Sequence, residues 1–189
     1  MELKYFLEGK VSLARDYLPN YTYEDLVQWE GRWELIDGVA HAMSPMAMPS
    51  HQYISNKIAG ILYEQLKECK ECFAFLPIDW RVDDSTVVQP DNLVLCYKPK
   101  KSYITKPPKI IFEIISKSTA KKDEIVKFSI YERERVDYYI LVYPDENLAK
   151  VFKYHDGRYM KVLDATNETY TFDIKNCKIE FDFSKIWYE

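Results

Sequence analysis

"KIIFEIIS", residues 109–116, is the stretch on which the fold turns. Read as a strand, it sends Ile111, Glu113 and Ile115 to one face and Ile110, Phe112 and Ile114 to the other, because successive side chains alternate. Both faces are apolar except at Glu113, which is the pattern of a central strand covered on both sides. An ionised carboxylate in that setting needs a cation or a hydrogen-bonding partner, since removing an unpaired charge from water is expensive.

A second acid raises the same question upstream. In "VVQPDNLVLCY", residues 87–97, Leu93, Leu95 and Tyr97 share a strand face with Asp91, and Val94 and Cys96 are apolar on the other. Pro90 offers no N–H to a ladder and suits a strand end or edge. If the two strands are neighbours, Asp91 and Glu113 converge, and the two carboxylates repel unless a proton or a metal lies between them. Oxygen donors favour a hard divalent cation, Mg²⁺ or Mn²⁺, before zinc. The alternative is that each acid pairs with a nearby Lys or Arg, or lies at an exposed strand end.

Outward from these strands, Asp37-Gly38 between "RWELI" and "VAHAM" is a hairpin signal. "TYEDLVQWE" reads as a short helix, with Thr22 as N-cap and Asp25 three residues later, inside an amphipathic entry segment over residues 1 to about 30. "SPMAMPS" breaks the pattern, and "HQYISNKIAGILYEQLK" then forms a helix capped by Ser50, with Ile54, Ile58, Ile61, Leu62, Gln65 and Leu66 largely on one face. Further strands are expected at 73–76, 78–83, 87–97 and 109–115, and "KPKKSYITKPPK" between the last two reads as a basic surface loop. Ser118 and Thr119 cap a helix running to about Arg133, followed by "YYILVY", a His-Asp-Gly turn, a strand near 169–172 and a docking turn in "FSKIWYE". Strands interleaved with helices predict an α/β sheet with helices packed on it.

The 189 residues fit one domain, and a hydrophobic content of 47% with 15% aromatic residues supplies a core for it. A net charge of -4 argues against a general nucleic-acid coat, although basic loops can still act locally. Cys69 and Cys72 form a lone CxxC that no second CxxC or histidine pair completes, and Cys96 reads as a small core residue. Reduced thiols, the absence of an apolar leader in "MELKYFLEGK" and the lack of a membrane-length apolar run predict a soluble cytoplasmic protein without a membrane partner.

"WELIDGVAHAMSP", "HQYISNKI", "VVQPDNLVL", "IIFEIISKSTAKKD" and "KFSIYERERVDYYILVYP" follow one another in order. Together, over roughly residues 22 to 155, they resemble the putative restriction-endonuclease family of the PD-(D/E)XK nuclease superfamily. The resemblance implies a restriction-endonuclease-like α/β fold, a mixed β-sheet core flanked by α-helices, in a single domain over residues 1–189. Pro90-Asp91 matches the "PD", and Glu113-Ile114-Ile115 occupies "(D/E)XK" with isoleucine in the lysine position. In similar families a lysine from the next helix fills that role. Lys127, which shares a helical face with Asp123, Ile130, Tyr131 and Glu134, is the first candidate, and Lys122 the second.

The activity implied is Mg²⁺-dependent DNA endonuclease chemistry, with Mn²⁺ as a possible substitute, in a homodimer. Asp91, Glu113 and the Ile115 carbonyl would hold the metal, and the lysine would orient water and stabilise developing charge. The alternative is a non-catalytic nucleic-acid-binding or interaction protein that keeps the nuclease fold, which Ile115 favours. Glu34 resembles an early acid that some relatives add, or is an exposed strand acid. His51 contacts a phosphate or caps its helix locally, and Gln89 orients Asp91 or the water. Asp79 pairs with Arg81 or another neighbour. The basic runs around Glu113 and the helix N-terminus at Thr119 contact DNA phosphates, or the lysines keep their loops solvated.

Overall fold

The computed structural model describes residues 18–43 and 48–188. The entry segment before residue 18 and the residues 44–47 within "SPMAMPS" lie outside the described residues. The contacts divide the chain into two compact units, the described residues of one being 18–43 with 81–88, and of the other 48–80 with 89–188.

The first unit contains α1 (Tyr23–Leu26), β1 (Trp33–Ile36) and β2 (Val39–Ala42). The Thr22 N–H donates to Asp25 Oδ2 at 2.8 Å, so the expected cap closes through the Asp25 carboxylate. β1 and β2 pair antiparallel with Ile36 opposite Val39, leaving Asp37 and Gly38 as a two-residue turn at φ 49° and 78°. Positive φ at both central positions is what this turn demands, and glycine meets it without a steric cost.

The second unit carries α2 (Pro49–Gln65), β3 (Phe73–Phe75) and β4 (Asp79–Arg81), the last ending at the boundary between the units. α2 starts two residues earlier than a Ser50 cap allows: Met48 is the N-cap, and Pro49 lies in the first turn, where its missing N–H is no loss. Ile54, Ile58 and Leu62 are fully buried, as their spacing predicts.

The expected strand over 87–97 is two strands. β5 (Val87–Val88) pairs with β1 in the first unit, while β6 (Asn92–Leu95) belongs to the second. Gln89-Pro90-Asp91 lies between them, and Pro90 has no N–H with which to continue a ladder. The basic linker is not wholly loop either. β7 (Tyr103–Ile104) pairs in parallel with β4, and Ile104 is buried. Flanking lysines and prolines hid that apolar residue from a pattern reading.

β8 (Ile110–Ile114) is buried along its whole length. After it come a π-helix (Lys122–Lys127), α3 (Phe128–Arg133), β9 (Tyr138–Tyr143), β10 (Leu148–His155) and β11 (Arg158–Ala165). Among the described residues, six strands form a mixed sheet in the order β11-β10-β9-β8-β6-β3, with β8 parallel to β9 and the other pairs antiparallel. β12 (Thr169–Ile174) and β13 (Cys177–Asp182) make a separate hairpin, of which the sequence pattern showed only the first strand.

Ile110, Phe112 and Ile114 join Ile54, Ile58 and Leu62 of α2 and Phe172, Ile179 and Phe181 of the hairpin in one core. Phe183 and Ile186 dock the C-terminal turn into it. Glu113 therefore points to the opposite side of the sheet, where Lys127 and Tyr131 meet it. The α/β class and the helix-flanked mixed sheet agree with the sequence.

The cysteines depart from expectation. Cys69 is bonded to Cys177 and Cys72 to Cys96, so Cys96 is more than a small core residue. Chain separations of 108 and 24 residues kept both pairings out of sight in the sequence.

Candidate functional site

β6 and β8 set Asp91 against Glu113. Asn92 pairs with Phe112, so the antiparallel register continued by one residue puts Asp91 across from Glu113, and directly opposed residues share a sheet face. The Asp91 carboxylate turns to the end of this ladder: Oδ2 accepts the Ile114 N–H at 2.9 Å, against the peptide that joins Ile114 to Glu113. His51 Nε2, from the first turn of α2, lies 3.1 Å from the same oxygen. His51 thus neither caps its helix alone nor stands apart from the acids. It fixes the orientation of Asp91.

Glu113 is 2% exposed and meets its donors at Oε1. Lys127 Nζ donates to it at 3.0 Å and the Tyr131 hydroxyl at 2.8 Å. Lys127 also lies 3.5 Å from Asp123 Oδ1, one helical turn away. Asp123 and Lys127 are as buried as Glu113, so this cluster of charges is held in protein rather than water. The i, i+4 spacing of Asp123 and Lys127 was visible in sequence; the π-helix that carries them was not. Such wider turns interrupt α-helices frequently at functional sites.

The aromatic side of the cluster is rigid. Tyr131 stacks on Trp80 at 5.7 Å between centroids and meets Tyr139 edge-on at 5.0 Å. Tyr139 is fully buried and donates to the Asp123 carbonyl at 3.0 Å. Burial first, then the nearby Glu113 charge, push its phenol well above the ordinary tyrosine range. It is held as a neutral donor.

The other expected positions are placed as follows. Ile115 follows β8, and its N–H donates to the Val142 carbonyl at 2.7 Å. Lys122 is half-buried at the start of the π-helix. Gln89 donates to Asp79 Oδ1 at 2.7 Å, while Arg81, the partner named for Asp79, pairs with Glu24 and Asp84. Glu34 belongs to the other unit, buried on β1 opposite His41. Its burial rules out an exposed strand acid.

The profile of the Uma2 family, described as "Putative restriction endonuclease", matches residues 22–171. The chain belongs to the Uma2 family. Among solved structures it is similar to the crystal structure of a putative nuclease belonging to DUF820 from Anabaena variabilis, with a TM-score of 0.69 at 14% identity. That likeness covers 88% of this chain and 97% of the other, and it shows a shared fold. No curated protein matches the chain.

In this Uma2 family chain Pro90-Asp91 immediately precedes β6, the strand that pairs with the Glu113-bearing β8, and Ile115 follows β8. The Lys127 ammonium stands beside Glu113 from the following helix. Two carboxylates and a backbone carbonyl are hard oxygen donors, the donor type that Mg²⁺ or Mn²⁺ takes. Tyr131 and Asp123 are the cluster members that sequence reasoning did not name as site residues. Both lie on the helical face drawn through Lys127, and that face was the one signal for them. No helix among the described residues is long and apolar enough to cross a membrane.

Proposed function

We propose that this chain is a metal-dependent DNA endonuclease that hydrolyses phosphodiester bonds, with Asp91 and Glu113 as metal ligands, the Ile115 carbonyl completing the set, and Lys127 as the catalytic lysine. The observation that carries this reading is the Lys127 ammonium 3.0 Å from Glu113, on the strand next to Asp91. The non-catalytic alternative rested on the isoleucine at position 115, and a lysine supplied from position 127 weighs against it.

The charges support a cation. Asp91, Glu113 and Asp123 against Lys127 leave two negative charges among these four side chains, which a divalent ion would offset. Bound there, Mg²⁺, or Mn²⁺ in its place, supplies Lewis acidity to the scissile phosphate and to the attacking water. His51 and the Ile114 N–H hold Asp91 in one orientation. Tyr131 and Asp123 keep Glu113 and Lys127 in register, so the ammonium is already placed when negative charge develops on the phosphate. His51 and Asp91 keep 23% and 18% of their side-chain surface, so the phosphate would approach from this side. Lys98, Lys100, Lys101, Lys117 and Lys121 are exposed and would contact backbone phosphates of DNA.

Plasmid and short-duplex cleavage with Mg²⁺ or Mn²⁺ tests the reading. Asp91→Ala and Glu113→Ala are expected to abolish cleavage, as is removal of the metal with a chelator. Lys127→Met should lower the rate by about 100-fold or more while divalent-ion binding persists. Equal cleavage by wild type and both acid variants would overturn the assignment. A fully active Lys127 variant would move the lysine role to Lys122.

A further inference from the structure

Cys69, Cys72 and Cys177 gather their sulfurs in one place, and Cys96 joins them through its bond to Cys72. Cys69 and Cys72 border the turn "CKEC" that follows α2, Cys96 immediately follows β6 and Cys177 opens β13. Register explains one pairing: Phe73 opposes Leu95, so Cys72 lies across from Cys96, with Cα atoms 3.8 Å apart. The hairpin delivers Cys177 from the other end of the chain.

The two disulfides are not independent. The sulfurs of Cys69, Cys72 and Cys177 lie within 4.8 Å of one another, and Cys72 Sγ is 3.9 Å from Cys177 Sγ across the two bonds. A tetrahedral zinc site with Zn–S bonds of about 2.3 Å places its sulfurs about 3.8 Å apart. The separation between the bonds is already that of a tetrathiolate edge. One CxxC turn supplies two of the four ligands at the spacing typical of structural zinc sites.

We propose that in its reduced state this cluster is a structural Zn²⁺ site with all four cysteines as ligands. A dithiol reductant supplies four electrons and four protons, breaking two S–S bonds and forming four thiols, while two reductant dithiols become disulfides. Zinc then takes the four sulfurs with release of four protons, leaving a centre of charge -2 from four thiolates and one Zn²⁺. Lys175 places a cation beside this charge: its ammonium donates to the Cys96 carbonyl at 3.1 Å and stands 3.8 Å from Glu71. Cys72 is 1% exposed and Cys96 9%, while Cys69 and Cys177 are half-buried. The metal would tie the α2–β3 turn, the sheet and the C-terminal hairpin together where the apolar core ends.

The site is separate from the acids. Cys96 is five residues beyond Asp91 along the same chain, about 17 Å in extended geometry. It therefore stands or falls without the nuclease reading.

The test uses the full chain purified in reductant with zinc supplied, its metal content and reactive thiols measured before and after a strong chelator. One zinc per chain is expected, with thiols that react only after the metal is removed. Replacement by Co²⁺ should give the intense visible bands of a tetrahedral thiolate complex. Asp91→Ala should keep the metal, and Cys177→Ser should lower zinc affinity at least about 100-fold, beyond the loss typical of an outer-shell partner. If Cys177→Ser does not fold, the wild-type stoichiometry and Co²⁺ spectrum still decide. A reduced chain with four reactive thiols and no zinc overturns the proposal. So do disulfides that persist in reductant, or a coloured protein that carries iron instead.

Discussion

Glu113 lies in a sheet interior with both of its described donors on Oε1, and their loss is measurable apart from any reaction. Tyr131→Phe removes the 2.8 Å hydroxyl contact while keeping the ring against Trp80. It is expected to cost about 1–3 kcal/mol in urea unfolding, the penalty of an under-satisfied buried acceptor. Lys127→Met should cost more, about 3–5 kcal/mol, because it leaves Glu113 and Asp123 buried without their cation. Adding Glu113→Gln to Lys127→Met should recover part of that loss, with a coupling of about 0.5–3 kcal/mol; strictly additive losses would mean that the pair does not interact. The roles of Glu113 and Lys127 could be framed from sequence, since an acid among isoleucines calls for a partner. Tyr131 could not, because a core phenylalanine and a hydroxyl donor have the same apolar periodicity.

Two glycines separate what turns and helices require. Gly38 has φ 78°, and a Cβ there would come within 2.5 Å of Asn20 Oδ1 and 3.0 Å of Asn20 Cα. Gly60 is exposed inside α2, with no heavy atom within 4 Å of an added Cβ. Thermal denaturation should show Gly60→Ala raising stability by about 0.5–1 kcal/mol through a smaller unfolded-state entropy. Gly38→Ala should lower it by more than about 1 kcal/mol, and an unchanged melting temperature would contradict the turn geometry. The hairpin was legible because Asp-Gly is local chemistry. The π-helix was not, because six residues are too few for an apolar pattern to separate its wider turn from an α-helical one.

Across the whole molecule, buried phenols make stability fall in alkali. Tyr139, Tyr143 and Tyr159 are all raised above the ordinary tyrosine value, chiefly by burial; Glu124 adds to the effect at Tyr143 and Glu132 at Tyr159. In the unfolded chain these phenols ionise near about pH 10, while the folded chain keeps their protons. The unfolded state binds fewer protons above that pH, so this stabilisation is complete below about pH 10 and is lost as pH rises towards the folded values. The melting temperature should fall more steeply there than in Tyr159→Phe. Equal slopes would show that Tyr159 does not contribute.

The sequence by itself determined the α/β class, the central position of "IIFEI", the Asp-Gly hairpin, the α2 face and the order of segments that marks the family. Each rests on local periodicity, on turn chemistry or on motif order along one chain. Tertiary structure decided the rest. Only the β6–β8 register sets Asp91 across from Glu113, and only the packing of helix on sheet brings the Lys127 ammonium to Glu113. Only the docking of β13 carries Cys177 across 108 residues to Cys69. Contacts between distant segments depend on strand order and register, and no local pattern encodes those.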